Sequence, residues 1–220
     1  KVVCFAMDEN HPNIKRRAAR GRVSCVYENG FVTILKGKWK VRVEKVVNIP
    51  LTYGGRAEFM IQNVLAATLA CFVHGVSIED IRVGLTTFNA GTAQTPGRLN
   101  FMEVGSVTVL MDYAHNPAGF SGLTKFVSKL PNKYRTVVMT VPGDRRDDDI
   151  REMGEIAGNA FDRIVIRHGH YLRGRDPNEL TALLQEGVAR TGKEPQVRVS
   201  QVAAMPSITP SNTAAKANSS

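Results

Sequence analysis

Two kinds of apolar spacing divide the chain. Over residues 1–50 the apolar runs are short and alternate with polar positions, the signature of strands with one face in water. The first residues already read as a strand. Val23-Ser24-Cys25-Val26-Tyr27 and Phe31-Val32-Thr33-Ile34-Leu35 flank Asn29-Gly30. Asn-Gly between two β-prone runs predicts a hairpin, because a type I′ turn needs positive φ at both central residues. Through a third run, Trp39 to Val47, the bases Lys38, Lys40 and Arg42 fall at alternate positions, which predicts a solvated strand face.

The period then becomes helical. Phe59, Ile61, Val64, Leu65, Leu69, Phe72 and Val73 recur at helix spacing over 56–74, and Gly75 supplies a stop. Cys71 falls among them and is expected in the core. Ser77 caps a second helix running to about Phe88, with Asp80 three residues on. Asn89 to Gly97 is made of turn formers and small residues and reads as a linker.

Beyond Leu99, strands and helices alternate. Val107 to Tyr113 is nearly all apolar, the pattern of a strand covered on both faces. Thr136 to Val141 reads as the next buried strand, Arg163 to Arg167 as a third and Gln196 to Val202 as a fourth. Helices are expected over Gly119–Leu130, Asp147–Ala160 and Pro177–Arg190. Alternation of this kind implies an α/β fold with a mainly parallel sheet and right-handed crossovers.

Composition narrows the classes. With 43% hydrophobic residues in 220, the chain has material for a packed core and for one or two domains. No apolar run approaches the ~20 residues a membrane span needs, and the opening is too short for a signal peptide. Three scattered cysteines with no CxxC pair suggest a reducing cytoplasm. Lys and Arg number 29 against 20 Asp and Glu, giving a net charge of +9. That charge raises nucleic-acid binding, but Tyr27, Phe31 and Trp39 are scattered rather than grouped for base stacking. Neither nucleic acid nor membrane is the expected partner.

In open α/β sheets, ligands sit at the carboxyl ends of the strands. Here those ends are three polar loops: 112–117, 142–147 and 168–175. Asp112 could hold a ribose hydroxyl or a metal-bound water, or merely form a turn. His115 could contact phosphate or switch a proton, or simply lie on the surface. Asp147-Asp148-Asp149 could bind metal, or complement a helix dipole. Arg145 and Arg146 carry guanidinium forks suited to phosphate and carboxylate. His168 and His170 could pair on a metal, with no third ligand nearby in sequence.

Gly54-Gly55-Arg56-Ala57-Glu58-Phe59 with the helix after it, Thr95-Pro96-Gly97-Arg98-Leu99-Asn100, Asp112-Tyr113-Ala114-His115-Asn116-Pro117-Ala118-Gly119 and Gly143-Asp144-Arg145-Arg146-Asp147 follow one another in an order that resembles the Mur ligase family. Gln94-Thr95-Pro96-Gly97-Arg98 together with Pro142-Gly143-Asp144-Arg145-Arg146-Asp147 is most similar to the Mur-like half of its cyanophycin synthetase branch. The resemblance covers roughly residues 1–190. It implies the end of a central, ATP-binding domain over 1–97 and a Rossmann-like C-terminal domain over 98–205. A tail over 206–220 is expected to be disordered, and the family's final helix and strand to be absent or altered.

By resemblance the reaction is ATP-dependent amide formation. ATP phosphorylates a carboxylate, an amine attacks the acyl phosphate, and phosphate leaves. In that branch the amine is arginine and the acceptor an aspartate-based polymer, while a separate ATP-grasp portion extends the backbone. The resemblance places Asn63 at adenine, Arg98 at the phosphates and Asp112 at the ribose. It has His115 and Asn116 line the nucleotide site, with Arg98 and His115 as the catalytic pair. Asp144, Arg145, Arg173 and Arg175 would hold the incoming amino acid or the acceptor. ATP and Mg2+ are the implied cofactors, and a homo-oligomer is implied too. The Gly-rich phosphate loop and the metal ligands are expected upstream of Lys1, so residues 1–220 alone are not expected to turn over ATP. One departure is Arg167-His168-Gly169-His170-Tyr171, basic where a guanidinium substrate would want acids. It leaves open a degenerate half that supports a neighbouring polymerising domain, or another ligase of the Mur and folylpolyglutamate type.

Overall fold

The computed structural model describes residues 2–168 and 172–200; His170 and the 206–220 tail lie outside the described residues. Its first sheet has the order β1 (Cys4–Ala6), β2 (Val23–Glu28), β3 (Phe31–Lys36), β4 (Trp39–Lys45). β2, β3 and β4 form the expected antiparallel meander. Asn29 and Gly30 sit at φ 48° and 82°, the values a type I′ turn requires. The β-rich expectation misses one element. A helix, α1 (Pro12–Ala19), joins β1 to the parallel β2. Only Ile14 of it is buried, so no apolar period betrays it. Its start rests on local chemistry instead: Pro12 at the first position, and the His11 imidazole accepting from the Asn13 N–H.

The bases Lys38, Lys40 and Arg42 are exposed, as expected, and two of them also pair with a buried acid. Glu28 is 5% exposed, and Lys40 and Arg42 both converge on its carboxylate while the Thr33 hydroxyl donates to it at 3.2 Å. Two helices then close the sheet. α2 (Glu58–Val73) packs Ile61, Val64, Leu65 and Leu69 on Cys25, Val32, Ile34 and Val43. α3 (Ile78–Thr87) starts at Ser77, whose hydroxyl accepts from the Asp80 N–H at 3.1 Å. Arg82 Nε donates to the Val43 carbonyl at 2.8 Å, occupying a group on edge strand β4. Cys71, expected in the core, is exposed. In the last turn of α2 it is Phe72 that packs on this core, which leaves Cys71 and Val73 on the outer side.

The second body holds α4 (Pro117–Ser128), α5 (Asp147–Ala160) and α6 (Pro177–Ala189). Its parallel sheet is β7 (Thr136–Met139), β8 (Arg163–Arg167) and β9 (Gln196–Ser200) in that order, as α/β alternation demands. Two strand expectations need correction. The 107–113 run is not a doubly covered strand: β6 (Val107–Met111) pairs antiparallel with β5 (Asn100–Val104) in a separate hairpin. Gly105, at φ 61°, turns the chain back on itself there, so Val107 and Met111 stay exposed. β7 is buried on one face only; Met139 enters the core while Val138 is 65% exposed. The covered face carries Met139, Ile164 and Ile166 against Ile150, Met153, Leu183 and Leu184.

Glycines let α5 and α6 touch. A Cβ on Gly187 would lie 1.9 Å from the Arg151 carbonyl oxygen, and one on Gly154 2.2 Å from that of Leu184. A third cluster joins the two bodies: Tyr53 and Ala57 with Leu99, Phe101 and Phe126. The Tyr53 ring lies tilted against that of Phe126 with centroids 5.3 Å apart, and its hydroxyl donates to the Leu99 carbonyl at 2.9 Å. Lys129, at the C-cap of α4, pairs with Glu58 on α2 at 2.6 Å. Among the described residues no helix is long and apolar enough to cross a membrane.

Candidate active site

The segment 95–100 is fastened to the loop after β6 by backbone and buried polar groups. Leu99 adopts a left-handed φ of 47°, a strained value for a side chain with a Cβ. Its N–H donates to Asp112 Oδ2 at 3.0 Å, and its carbonyl accepts the Tyr53 hydroxyl. The Tyr113 N–H donates to the Gly97 carbonyl at 2.8 Å. Asn100, 2% exposed, accepts the Gly97 N–H and donates to the carbonyls of Thr95 and Arg98.

That framework brings Arg98, Asp112, Tyr113 and His115 together. The Arg98 guanidinium stands 5.5 Å over the Tyr113 ring. Tyr113 in turn lies 5.3 Å from the His115 ring. His115 Nδ1 is 3.1 Å from the Tyr113 carbonyl oxygen. A carbonyl only accepts, so Nδ1 is the donor of that contact. Asn116 caps α4, its side-chain oxygen accepting the Gly119 N–H at 2.8 Å. The positive end of α4 therefore opens at this loop, where an anion is favoured.

The other two loops are locked to each other. Gly143 is buried against the Leu172 carbonyl, which a Cβ would meet at 1.9 Å. Arg175 Nη1 donates to the Arg145 carbonyl at 3.3 Å. Arg175 also pairs with Asp147 at 2.9 Å and with Glu179. Its charge is thus spent on its own loop and helices. Arg145 differs: its Nε is buried with no hydrogen-bond partner, 3.8 Å from Asp144 Oδ1. Arg173 is exposed at a left-handed φ of 49°. Ala114, Val141 and Leu172, one from each loop region, pack into the same core cluster, which ties the three loops to one end of the body.

Some candidates separate from this group. Asn63 is exposed on α2, its amide 3.5 Å from Met60 Sδ; among the described residues no hydrogen bond links it to Arg98 or Asp112. Asp147, Asp148 and Asp149 pair with Arg175, Arg151 and Arg146, so they serve the first turn of α5. His168 Nε2 meets the Thr181 hydroxyl at 3.1 Å. Among the described residues no three His, Cys, Asp or Glu side chains are grouped to hold a metal. Sequence reasoning assigned nothing to Tyr53, Leu99 or Asn100, which fix the site from behind. A polar Asn opening an apolar strand was the one available signal.

Residues 97–213 match the Mur ligase, glutamate ligase domain. The chain belongs to the Mur ligase family. It is 45% identical over 188 residues to the cyanophycin synthetase of Synechocystis sp., a match covering 86% of this chain and 21% of that one. To the cyanophycin synthetase of Trichormus variabilis it is 43% identical over 189 residues, again 86% and 21%. The chain thus spans about a fifth of the length of these curated relatives. A solved folylpolyglutamate synthase from Mycobacterium tuberculosis, complexed with ADP and AMPPCP, shares the fold at TM-score 0.56 and 19% identity, over 90% of this chain and 45% of that one.

Proposed function

We propose that this chain forms part of an ATP-dependent carboxylate–amine ligase working in the cytoplasm, of the cyanophycin synthetase type. The observation that carries the reading is the Arg98–Tyr113–His115 group beside Asp112, built on the first strand-end loop. ATP would supply the phosphoryl group that turns a carboxylate into an acyl phosphate. The residues present fit it: a guanidinium held over a ring, the open end of α4, and a carboxylate with one oxygen uncommitted.

On this reading Arg98 neutralises charge on the transferred phosphoryl. Asp112 holds the ribose with Oδ1 while Oδ2 keeps the Leu99 N–H. Nε2 of His115 and the side-chain amide of Asn116 face the nucleotide. Arg145 offers the exposed part of its guanidinium to a substrate carboxylate, with the exposed Arg173 on the neighbouring loop. Arg175 and Asp144 position the Arg145 loop. Asn63 reaches adenine from α2. Mg2+ would be held by residues outside this chain, and a homo-oligomer with upstream phosphate-binding and ATP-grasp portions completes the enzyme. The cyanophycin synthetase relatives suggest arginine as the amine and an aspartate-based polymer as the acceptor.

A second reading rests on His168. It is engaged with Thr181 next to the cationic Arg167, and the run 167–171 contains no Asp or Glu in sequence to meet a guanidinium. That favours an incoming group other than free arginine, or a half that only supports a polymerising neighbour. The test is amide formation by the protein expressed from its native gene, with ATP, polyaspartate and a panel of amino acids. Arg98→Ala is expected to lower the rate about a hundredfold, near the loss of one charged donor at a transition state. An unchanged rate rejects the site, and no ATP-dependent amide with any amine rejects the ligase.

A further inference from the structure

α1 and its neighbourhood carry more positive charge than folding requires. Between Pro12 and Val23 the chain has Lys15, Arg16, Arg17, Arg20 and Arg22 and no acid. Arg17 is used internally, donating to the carbonyls of Val2 and Val23. The other four are exposed. The β3–β4 turn adds two more exposed cations, Lys36 and Lys38. The two turns touch, since a Cβ on Gly37 would lie 3.6 Å from Gly21 Cα. Six cations therefore share one end of the first sheet. Among the described residues none of the six pairs with a carboxylate, whereas Lys40 and Arg42 next door are both tied to Glu28.

A helix dipole accounts for a base or two in the last turn of α1. It does not account for Lys36 and Lys38, which lie on a turn of another element. Like charges gathered this closely repel, and an anion relieves them. The patch is also separate from the candidate active site. It lies at the amino end of β2, on the first sheet, whereas the three loops lie on the second body. Trp39, the nearest aromatic in sequence, has one face stacked on Phe72 at 6.0 Å and is 44% exposed, and among the described residues no ring other than Phe72 stacks with it to build a platform for successive bases. What remains is charge spread over two turns, without a cavity or a stacking platform.

We infer that this patch binds an extended polymer of carboxylates, an acidic polypeptide. The inference rests on the ligase reading, in which the acceptor is a chain of carboxylates reaching beyond the crevice. Holding a distant stretch of that chain raises the local concentration of its reactive end. The polymer is attracted by charge, so its binding falls as salt rises.

The test is fluorescence anisotropy of labelled polyaspartate with the full protein at low and moderate salt. Two charge-reversed variants are compared, one carrying Arg16→Glu and Arg20→Glu, the other Lys36→Glu and Lys38→Glu. Each is expected to weaken polyaspartate about tenfold and flatten the salt dependence, with an unchanged melting curve. Having the second pair on a turn keeps the test valid if the helix variant fails to fold. Parent-like binding by the turn variant overturns the proposal. So does tighter binding of a single-stranded oligonucleotide of equal charge, which would mark a nucleic-acid surface. Amide formation on a short carboxylate acceptor separates the two readings: the variants keep it if the patch only tethers, and the parent lacks it if the ligase reading is wrong.

Discussion

The two bodies bury their apolar surface alike and differ in what holds their key polar groups. In the first, side chains around β4 satisfy one another, while the six cations near Gly21 and Gly37 stay unpaired among the described residues. Glu28 is enclosed by Lys40, Arg42 and Thr33, and Arg82 divides itself between Glu79 and the Val43 carbonyl. In the second, the backbone does much of the holding. Gly143 against Leu172, Gly187 against Arg151 and the turned Leu99 fix the frame through main-chain atoms. Side chains on that frame stay uncommitted, as Arg98 over Tyr113 and the Arg145 Nε do. Groups paired inside the protein are unavailable to a ligand, whereas a backbone-fixed loop leaves its donors free.

Phe126→Ala tests the joint between the bodies most severely. Phe126 is 1% exposed and packed on Tyr53 and Phe101. Its truncation is expected to cost about 3–5 kcal/mol, read from denaturant unfolding. Separate transitions for the two bodies would show that the joint alone makes them cooperative, and a loss under about 1 kcal/mol would remove it as a strut.

Gly187→Ala comes next, at about 1–3 kcal/mol from overpacking. In an exposed helix the same change stabilises by up to ~1 kcal/mol, so the sign alone decides whether α5 and α6 touch through backbone. Thermal melting reads that sign.

Glu28→Gln should cost about 1–3 kcal/mol, because two cations lose a buried carboxylate partner. The Lys40 hydrogen bond holds the Glu28 carboxyl below its ordinary value of 4.5. A depressed carboxyl stabilises the fold above the unfolded value and loses that contribution as pH falls through the depressed one. Acid unfolding followed below pH 4.5 should therefore flatten in Glu28→Gln; an unchanged acid limb would reject the pair as a determinant.

Lys129→Ala closes the series. Its bridge to Glu58 is exposed at both ends, and under about 1 kcal/mol is expected, shrinking with salt. A larger loss would mean that α2 and α4 depend on surface charge more than on Phe59 against Gly122.

The elements legible in advance were those whose own residues dictate them. Asn29-Gly30 needs only its backbone preference, and Ser77 with Asp80 needs only a helix start. α1 was hidden because a helix that buries Ile14 alone has no apolar period. The 107–113 run misled for the opposite reason: an exposed apolar hairpin carries the same letters as a buried strand. In the candidate site, the loops were readable from strand–helix alternation, which fixes where carboxyl ends fall. The partners of each side chain were not. Arg145 and Arg175 look equivalent in sequence, yet one keeps an unpaired Nε and the other is spent on Asp147 and Glu179.

By itself the sequence determined the periods, the turns, the order of the elements and the net charge of +9, since each depends on neighbours along the chain. Tertiary structure decided how that charge divides. Arg175, Lys40 and Arg42 are neutralised by acids brought from other elements. Arg98 and the six cations around Gly21 and Gly37 are left without such partners among the described residues. Ion pairs act over a few ångströms, and residues distant in sequence come that close only when the chain folds.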